Sequence, residues 1–327
     1  AGGYIQLELN TPIYNLATNP YGVDFVVYGN AFNNNPEAGA VKVFGYKAGD
    51  TTGAWYDLAG SLYYNSITKN NATVSYKRIA SGTDAGIWYK INNGSWTKFT
   101  TNTAWWPDTT KGYGDTWGSV DGVTWDQTND IITYTGVSLV KDTDLNNDYQ
   151  FGYFDVHINS TTENYGTAMN PYTITNTDRG GDGFDLSWAV DSTGTPVNLL
   201  YITKVRLYTA AALTSDGTAF TTPSIFGETS AEFCGLFKAT GTGSGAATTS
   251  LKIAKGFTSY NLSDTSITPV AAGDWKVTSS AEHVYINGVA VTGAASGYTL
   301  SVVSGQLYQI ITQNGTEAPI VAVVKGK

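Results

Sequence analysis

The sequence predicts an all-β chain: a large jelly-roll or β-sandwich domain followed by a small immunoglobulin-like sandwich. Three observations predict it. Helical periodicity is nearly absent, while short stretches of alternating apolar and polar residues recur along the whole length. Turn-forming clusters separate those stretches. The composition is low in charge (14%) and rich in Gly, Tyr, Thr, Ser and Asn, yet 41% hydrophobic, as in turn-rich β proteins and unlike disordered chains. At 327 residues the chain is long enough for two cores.

In order, the expected strands of the first domain (1–238) are Tyr4–Leu9, Asp24–Tyr28, Ala40–Tyr46, Thr73–Lys77, Ile87–Ile91, Ile131–Tyr134, Tyr149–Val156, Phe184–Val190 and Lys204–Tyr208. In the last of these Val205 and Leu207 share one face and the charges the other, the pattern of an antiparallel strand with one wet side. The Gly/Ser/Thr run at 239–247 reads as a linker or exposed loop. Beyond it, 248–327 holds a second series: Thr249–Ala254, Phe257–Leu262, Trp275–Thr278, His283–Ile286, Val289–Val291, Tyr298–Val303, Leu307–Thr312 and Ile320–Val324. Asn287-Gly288 between two of them signals a two-residue hairpin, because both residues accept the positive φ of a type I′ turn.

Charge and cysteine content narrow the function. The net charge is −9 with no Lys/Arg cluster, so nucleic acid is not an expected partner. The single Cys234 permits no internal disulfide and reads as a small buried hydrophobe, an intermolecular bridge being the alternative. No apolar run is long enough for a membrane helix. Sequons at Asn71, Asn93, Asn159, Asn261 and Asn314 are weak signs of glycosylation in so Asn/Thr-rich a chain.

Six blocks carry a resemblance: Gly2-Gly-Tyr-Ile-Gln-Leu-Glu-Leu9, Asp24-Phe-Val-Val-Tyr-Gly-Asn-Ala-Phe32, Ala40-Val-Lys-Val-Phe44, Trp55-Tyr-Asp-Leu-Ala-Gly-Ser61, Gly181-Asp-Gly-Phe-Asp-Leu-Ser-Trp-Ala-Val-Asp191 and Lys204-Val-Arg-Leu-Tyr-Thr-Ala210. Over about residues 2–235 the chain resembles a family of bacterial secreted cell-surface proteins with a jelly-roll domain related to galactose-binding-like domains. The resemblance implies a β-sandwich at an extracellular location, with any signal peptide already removed, and it implies no chemistry. In that family the Gly-Gly-Tyr-Ile block follows further sequence that supplies sheet. Here the sequence opens on the block, so a strand is dispensed with or something else supplies it.

Catalytic signals are sparse. Only His157 and His283 are present, in different expected domains, which leaves no base beside a Ser or Cys nucleophile and no zinc ligand set. Paired carboxylates for glycoside hydrolysis would have to come from Asp182, Asp185, Asp191, Glu228 and Glu232, but turn chemistry and a buried hydrogen-bonded Asp are the favoured reading of the Asp residues, with metal ligation the next. Calcium is the favoured ion. Asp142, Asp144, Asn146 and Asp148 alternate as in a calcium loop, although the Gly and Glu of an EF-hand and its flanking helices are missing, and a polar strand-connecting loop remains the favoured reading of the stretch. Six of nine tryptophans lie between 88 and 125, in an excursion near 85–126. There Trp105, Trp106, Trp117 and Tyr113 would stack on sugar rings or anchor a protein contact, or else form a satellite core.

The expected function is therefore a non-enzymatic extracellular structural protein, a filament subunit joined to copies of itself by β-strand complementation. The exchanged strand would be Tyr4–Leu9, with Tyr4, Ile5, Leu7 and Leu9, or else Ile320–Val324, with Ile320, Val321 and Val323. A cell-surface glycan- or small-ligand-binding module is the alternative, and a glycoside hydrolase the third.

Overall fold

A computed structural model describes residues 3–32, 36–103, 122–141, 150–159, 165–175, 177–213 and 231–327. It is all-β, with half of the chain in strands and 3% helical. The central sheet has five strands in the order β1 (Tyr4–Tyr14), β12 (Tyr201–Thr209), β3 (Gly39–Tyr46), β4 (Ala54–Leu58), β11 (Ala189–Val190). The alternation in β12 does what the sequence asks: Ile202, Val205 and Leu207 enter the core, and Lys204 and Arg206 take the other face. There Arg206 lies between the rings of Tyr4 and Trp55, 4.3 and 4.2 Å from their centroids, so the cation is covered by aromatic faces.

A second sheet, β10 (Asp182–Phe184), β2 (Phe25–Tyr28), β14 (Gly235–Lys238), has β2 at its centre. This explains why Phe25-Val-Val-Tyr28 is apolar throughout. Phe25 and Val27 join the main core with Val41, Val43, Val205, Leu207 and Trp188, while Val26 and Tyr28 pack with Val23, Ala168 and Ala239 on the opposite side. The third sheet runs β13 (Ala211–Leu213), β9 (Ile131–Lys141), β5 (Lys69–Ile79), β6 (Gly86–Ile91), β7 (Thr97–Thr100), with β8 (Val123–Asp126) also on β9. Its inner face, Val74, Ile87, Ile132 and Tyr134, closes on Ala40 and Tyr208 of the central sheet.

Two further sheets form the C-terminal sandwich: β16 (Thr258–Asn261), β15 (Leu251–Lys255), β18 (Gly273–Ser279), β21 (Tyr298–Val302), and β17 (Ser266–Val270), β23 (Ile320–Gly326), β22 (Leu307–Gln313), β19 (His283–Ile286), β20 (Val289–Ala290). Between them lie Ile253, Trp275, Val277, Val284, Ile310, Ala322 and Val324. The reverse face of the second sheet is apolar too. Tyr285, Ile311 and Val321 belong to the main core of the N-terminal part. Hence β23 is Ile-Val-Ala-Val-Val because it separates two cores.

The two parts are bonded as well as packed. Tyr285 Oη donates to Tyr172 O at 2.7 Å and Gln309 Nε2 to Ala59 O at 3.4 Å. In the 239–247 segment, Gly243 N donates to Thr18 O at 2.7 Å, and Ser244 Oγ lies 2.6 Å from Thr316 Oγ1. The Asn287-Gly288 hairpin is as expected, with φ of 48° and 74°, and its glycine sits on the N-terminal part. A Cβ on Gly288 would meet Ser61 O at 2.5 Å. Gly288→Ala is therefore expected to cost more than the roughly 1–2 kcal/mol of left-handed backbone strain alone. Calorimetry should show a lowered melting temperature, with the two parts beginning to unfold separately.

Candidate functional site

β1 is the first candidate. It pairs antiparallel with β12, Tyr4 opposite Tyr208 and Leu7 opposite Val205, with a register break between Glu8 and Ile13. Ile13 is in the main core, and Leu7 and Leu9 pack partly against it. On the other face Glu8 accepts from Lys204 at 2.7 Å and Gln6 from Arg206 at 2.9 Å. The strand expected to be exchanged is thus paired on one side with β12 of its own chain. Tyr4–Leu9 is at home in its own chain, held by inward leucines and cross-strand polar pairs. Ile320–Val324 is likewise interior, between β22 and β17, with Val321 and Val323 almost fully buried. What remains open is the outer edge of β1, to which no other strand pairs among the described residues. Ile5 on this strand is 49% exposed. A cavity of about 150 Å³ lies beside its start, lined by Tyr4, Ile5, Phe154, Leu207, Ala231 and Phe233 among others.

A group of three carboxylates is the second candidate. Ligand oxygens of Glu37, Asp155 and Glu232 lie within 4.8 Å of one another. Asp155 is held by two backbone donors, Asn30 N at 2.7 Å and Glu232 N at 2.8 Å, and its own φ is 62°. Residue 29 must be glycine, because a Cβ there would overlap the Asp155 carboxylate. Burial, then the neighbouring Glu37, pushes Glu232 up to about 8, and burial raises Asp155. The group can share protons, or it can offer hard oxygen ligands of the kind calcium takes. Of the three, only Glu232 stood out in the sequence. Glu37 and Asp155 are brought to it by the fold, with no spacing that marks them.

The other carboxylates perform structural tasks. Asp182, buried, accepts from Val156 N and His157 N, both at 3.2 Å, and lies 2.7 Å from His157 Nδ1. His157 Nε2 is buried without a protein partner, and the ring borders a cavity of about 10 Å³, room for about one water. Asp185 caps a 3₁₀ turn (Leu186–Trp188) by accepting from Ser187 N at 2.7 Å. Asp191 accepts from Thr193 N and Thr195 N in a turn. These are the turn and hydrogen-bonding roles that competed with hydrolysis in the sequence.

Trp105, Trp106, Tyr113, Trp117, Asp142, Asp144, Asn146, Asp148 and Glu228 lie outside the described residues. Cys234 is exposed, correcting the expectation of a buried hydrophobe. Its backbone N–H bonds to Tyr28 O at 2.7 Å where the chain joins β14, whose outer residues face water. His283 is partly exposed beside Glu282. Sequon residues Asn71, Asn93 and Asn261 are exposed, whereas the Asn159 amide donates to Gly29 O. Among the described residues no helix is long and apolar enough to cross a membrane. Fold and sites together define an all-β, sandwich-like protein. No family model matches the chain, and no curated protein matches it.

Proposed function

We propose that the chain is a non-enzymatic structural protein of an extracellular surface, built from a jelly-roll part and a small immunoglobulin-like part, and that it polymerises by β-strand addition between copies. The observation that carries the reading is the open edge of β1. Among the described residues no strand pairs with the outer edge of this eleven-residue strand, and soluble proteins ordinarily blunt such edges with charge or proline. Along β1 only Glu8 and Pro12 do so. A second edge lies in the other part: β16 is exposed at all four residues and, among the described residues, pairs only with β15. Joining β1 of one copy to β16 of the next is a heterologous contact, which propagates as an open fibre when its rotation does not close. The parallel β17–β23 pair within an otherwise antiparallel sheet supports the immunoglobulin-like assignment. The low charge and the Thr/Tyr/Asn/Gly-rich composition suit a durable surface polymer, and the family resemblance supports the extracellular location.

Electron microscopy and sedimentation of the full chain over a range of concentrations test this. Fibres are expected, and Ile5→Lys or Ser259→Lys should abolish them while the melting temperature stays within a few degrees. A species that stays monomeric at high concentration, or a closed dimer that grows no further, sinks the reading.

A further inference from the structure

We infer that the outer face of the β5–β6–β7 sheet is a binding surface for an acidic polysaccharide, a function separate from assembly through β1. The face is defined by register. Lys77 on β5 stands opposite Trp88 on β6, and Trp88 stands opposite Lys98 on β7. Because side chains alternate, Lys90, two residues after Trp88, takes the same face, while Ile87 and Tyr89 turn into the core beneath. Trp96, just ahead of β7, completes the group. Lys77 Nζ lies 4.8 Å from the centroid of the Trp96 ring and 5.9 Å from that of Trp88. Lys90 lies 5.0 Å from Trp96, and Lys98 lies 5.2 Å from Trp88. The Trp88 ring is itself fixed, its Nε1 donating to Asp84 O at 3.0 Å.

The grouping of the charges is the second observation. Acidic residues outnumber basic ones, 27 to 18, and four cations elsewhere pair with carboxylates: Lys42 with Asp57, Lys204 with Glu8, Arg78 with Asp130, Lys47 with Asp50. Lys77, Lys90 and Lys98 are half-buried, and among the described residues none of them forms an ion pair. Three ammonium groups are thus gathered on one face and held against indole rings. Lys77 and Lys98 flank Trp88 at about two strand spacings, roughly 10 Å. The rings restrict the lysine stems, which lowers the entropy lost when an anion binds.

What fits is a chain of anionic groups with flat, apolar ring faces between them. A polymer of sugar acids offers both: carboxylates for the ammonium groups and pyranose C–H faces for the indoles. Nucleic acid offers rings and charge too, and tighter binding of a single-stranded oligonucleotide than of the acidic polysaccharide would overturn the assignment. An acidic segment of a second copy would supply carboxylates without the ring faces.

The test uses the full chain, with polygalacturonate as probe and dextran as the neutral control, followed by titration calorimetry. Binding to polygalacturonate alone is expected, weakening with added salt as screening requires. The triple variant Lys77→Gln, Lys90→Gln, Lys98→Gln should lose affinity by at least about tenfold, from three charge-assisted contacts. Trp88→Leu with Trp96→Leu should weaken it as well. A control with the same charge change elsewhere, Lys47→Gln, Lys252→Gln, Lys276→Gln, should bind like the parent. The inference is overturned by no binding to the probe, by equal binding to dextran, or by a folded triple variant that keeps its affinity. It is overturned too if the triple variant changes only self-association. Failure here leaves the fibre reading standing, since neither edge strand is touched.

Discussion

Raising the pH from 4 to 8 is expected to lower the melting temperature steadily, the reverse of the behaviour of a protein held by ionised carboxylates. The cause lies where the two parts meet. Asp185 is completely buried, accepts one short hydrogen bond from Ser187 N, and leaves its second oxygen without a partner. Burial, and then the nearby Asp24 and Asp264, raise it well above the usual carboxylate range. Asp24 is equally buried, and burial raises it to about 7, although Leu186 N, Leu16 N and Asn19 Nδ2, which donate to it, and the nearby Lys238 all favour its negative charge. The proton of the pair therefore belongs on Asp185. Asp264, from the C-terminal sandwich, faces the same region, and burial pushes it up to about 6 although Val321 N and Thr265 N oppose the shift.

The sign follows from linkage. These carboxyls are neutral in the folded protein at a pH where the unfolded chain, with ordinary carboxylates, has released its protons. The stability they contribute is complete below about pH 4 and is lost as the pH rises from there to the folded values, about 6 for Asp264 and about 7 for Asp24. A tenfold difference in proton affinity between the folded and unfolded chain is worth about 1.4 kcal/mol, so the change over the window is on the order of a few kcal/mol, a large part of a typical folding free energy. Asp185→Asn keeps the acceptor for Ser187 N and removes the titrating proton. Its melting temperature should vary less between pH 4 and 8 and lie above the parent's at pH 8. A parent that is more stable at pH 8 than at pH 5, or a variant with the parent's pH slope, contradicts the assignment.

Local periodicity was the reliable part of the sequence. β12 and the Asn287-Gly288 hairpin were readable because each is fixed by neighbours along the chain. Where two elements share one pattern, the reading failed. Phe184, Leu186 and Trp188 are all fully buried in one core at alternate positions, so 184–190 imitates a single strand. The chain instead leaves β10, makes the 3₁₀ turn capped by Asp185, and enters β11. Residues 150–156 make only an isolated bridge, Phe154 to Gly39, where a strand was expected. Six short strands, β4, β7, β8, β13, β14 and β17, went unread. In β17 the Ser-Ile-Thr-Pro-Val sequence argues against a strand, yet Pro269 is tolerated because β17 is an edge that, among the described residues, pairs only with β23. The Glu37–Asp155–Glu232 group was invisible for a different reason: its members meet through tertiary packing, which leaves no motif behind. The Lys–Trp face needed register, because nothing in the sequence says that Lys77 will stand opposite Trp88.

Trp188→Ala is expected to be the most damaging single substitution, and its effect should reach the C-terminal sandwich. The indole is fully buried among Phe151, Tyr172 and Phe184, with ring centroids 5.0, 6.0 and 6.3 Å away. Its Nε1 donates to Tyr172 Oη at 3.0 Å. Truncation removes the packing and opens a cavity, costing about 3–5 kcal/mol. It also takes away the partner of the buried Tyr172 hydroxyl, adding about 1–3 kcal/mol. Tyr172 in turn contacts Tyr285, centroids 5.9 Å apart, and accepts the Tyr285 hydroxyl proton on its carbonyl. A loosened Tyr172 therefore weakens the seat of β19 as well as the main core. Trp188→Phe separates the two effects, since it refills most of the volume but leaves the Tyr172 hydroxyl without its donor. Urea unfolding should rank the parent above Trp188→Phe and Trp188→Ala last. Hydrogen exchange should show β19 and β22 losing protection in Trp188→Ala before the inner strands of the C-terminal sandwich, β15 and β18, do. Uniform loss of protection across both parts would mean that the Tyr172–Tyr285 contact does not carry the coupling between them.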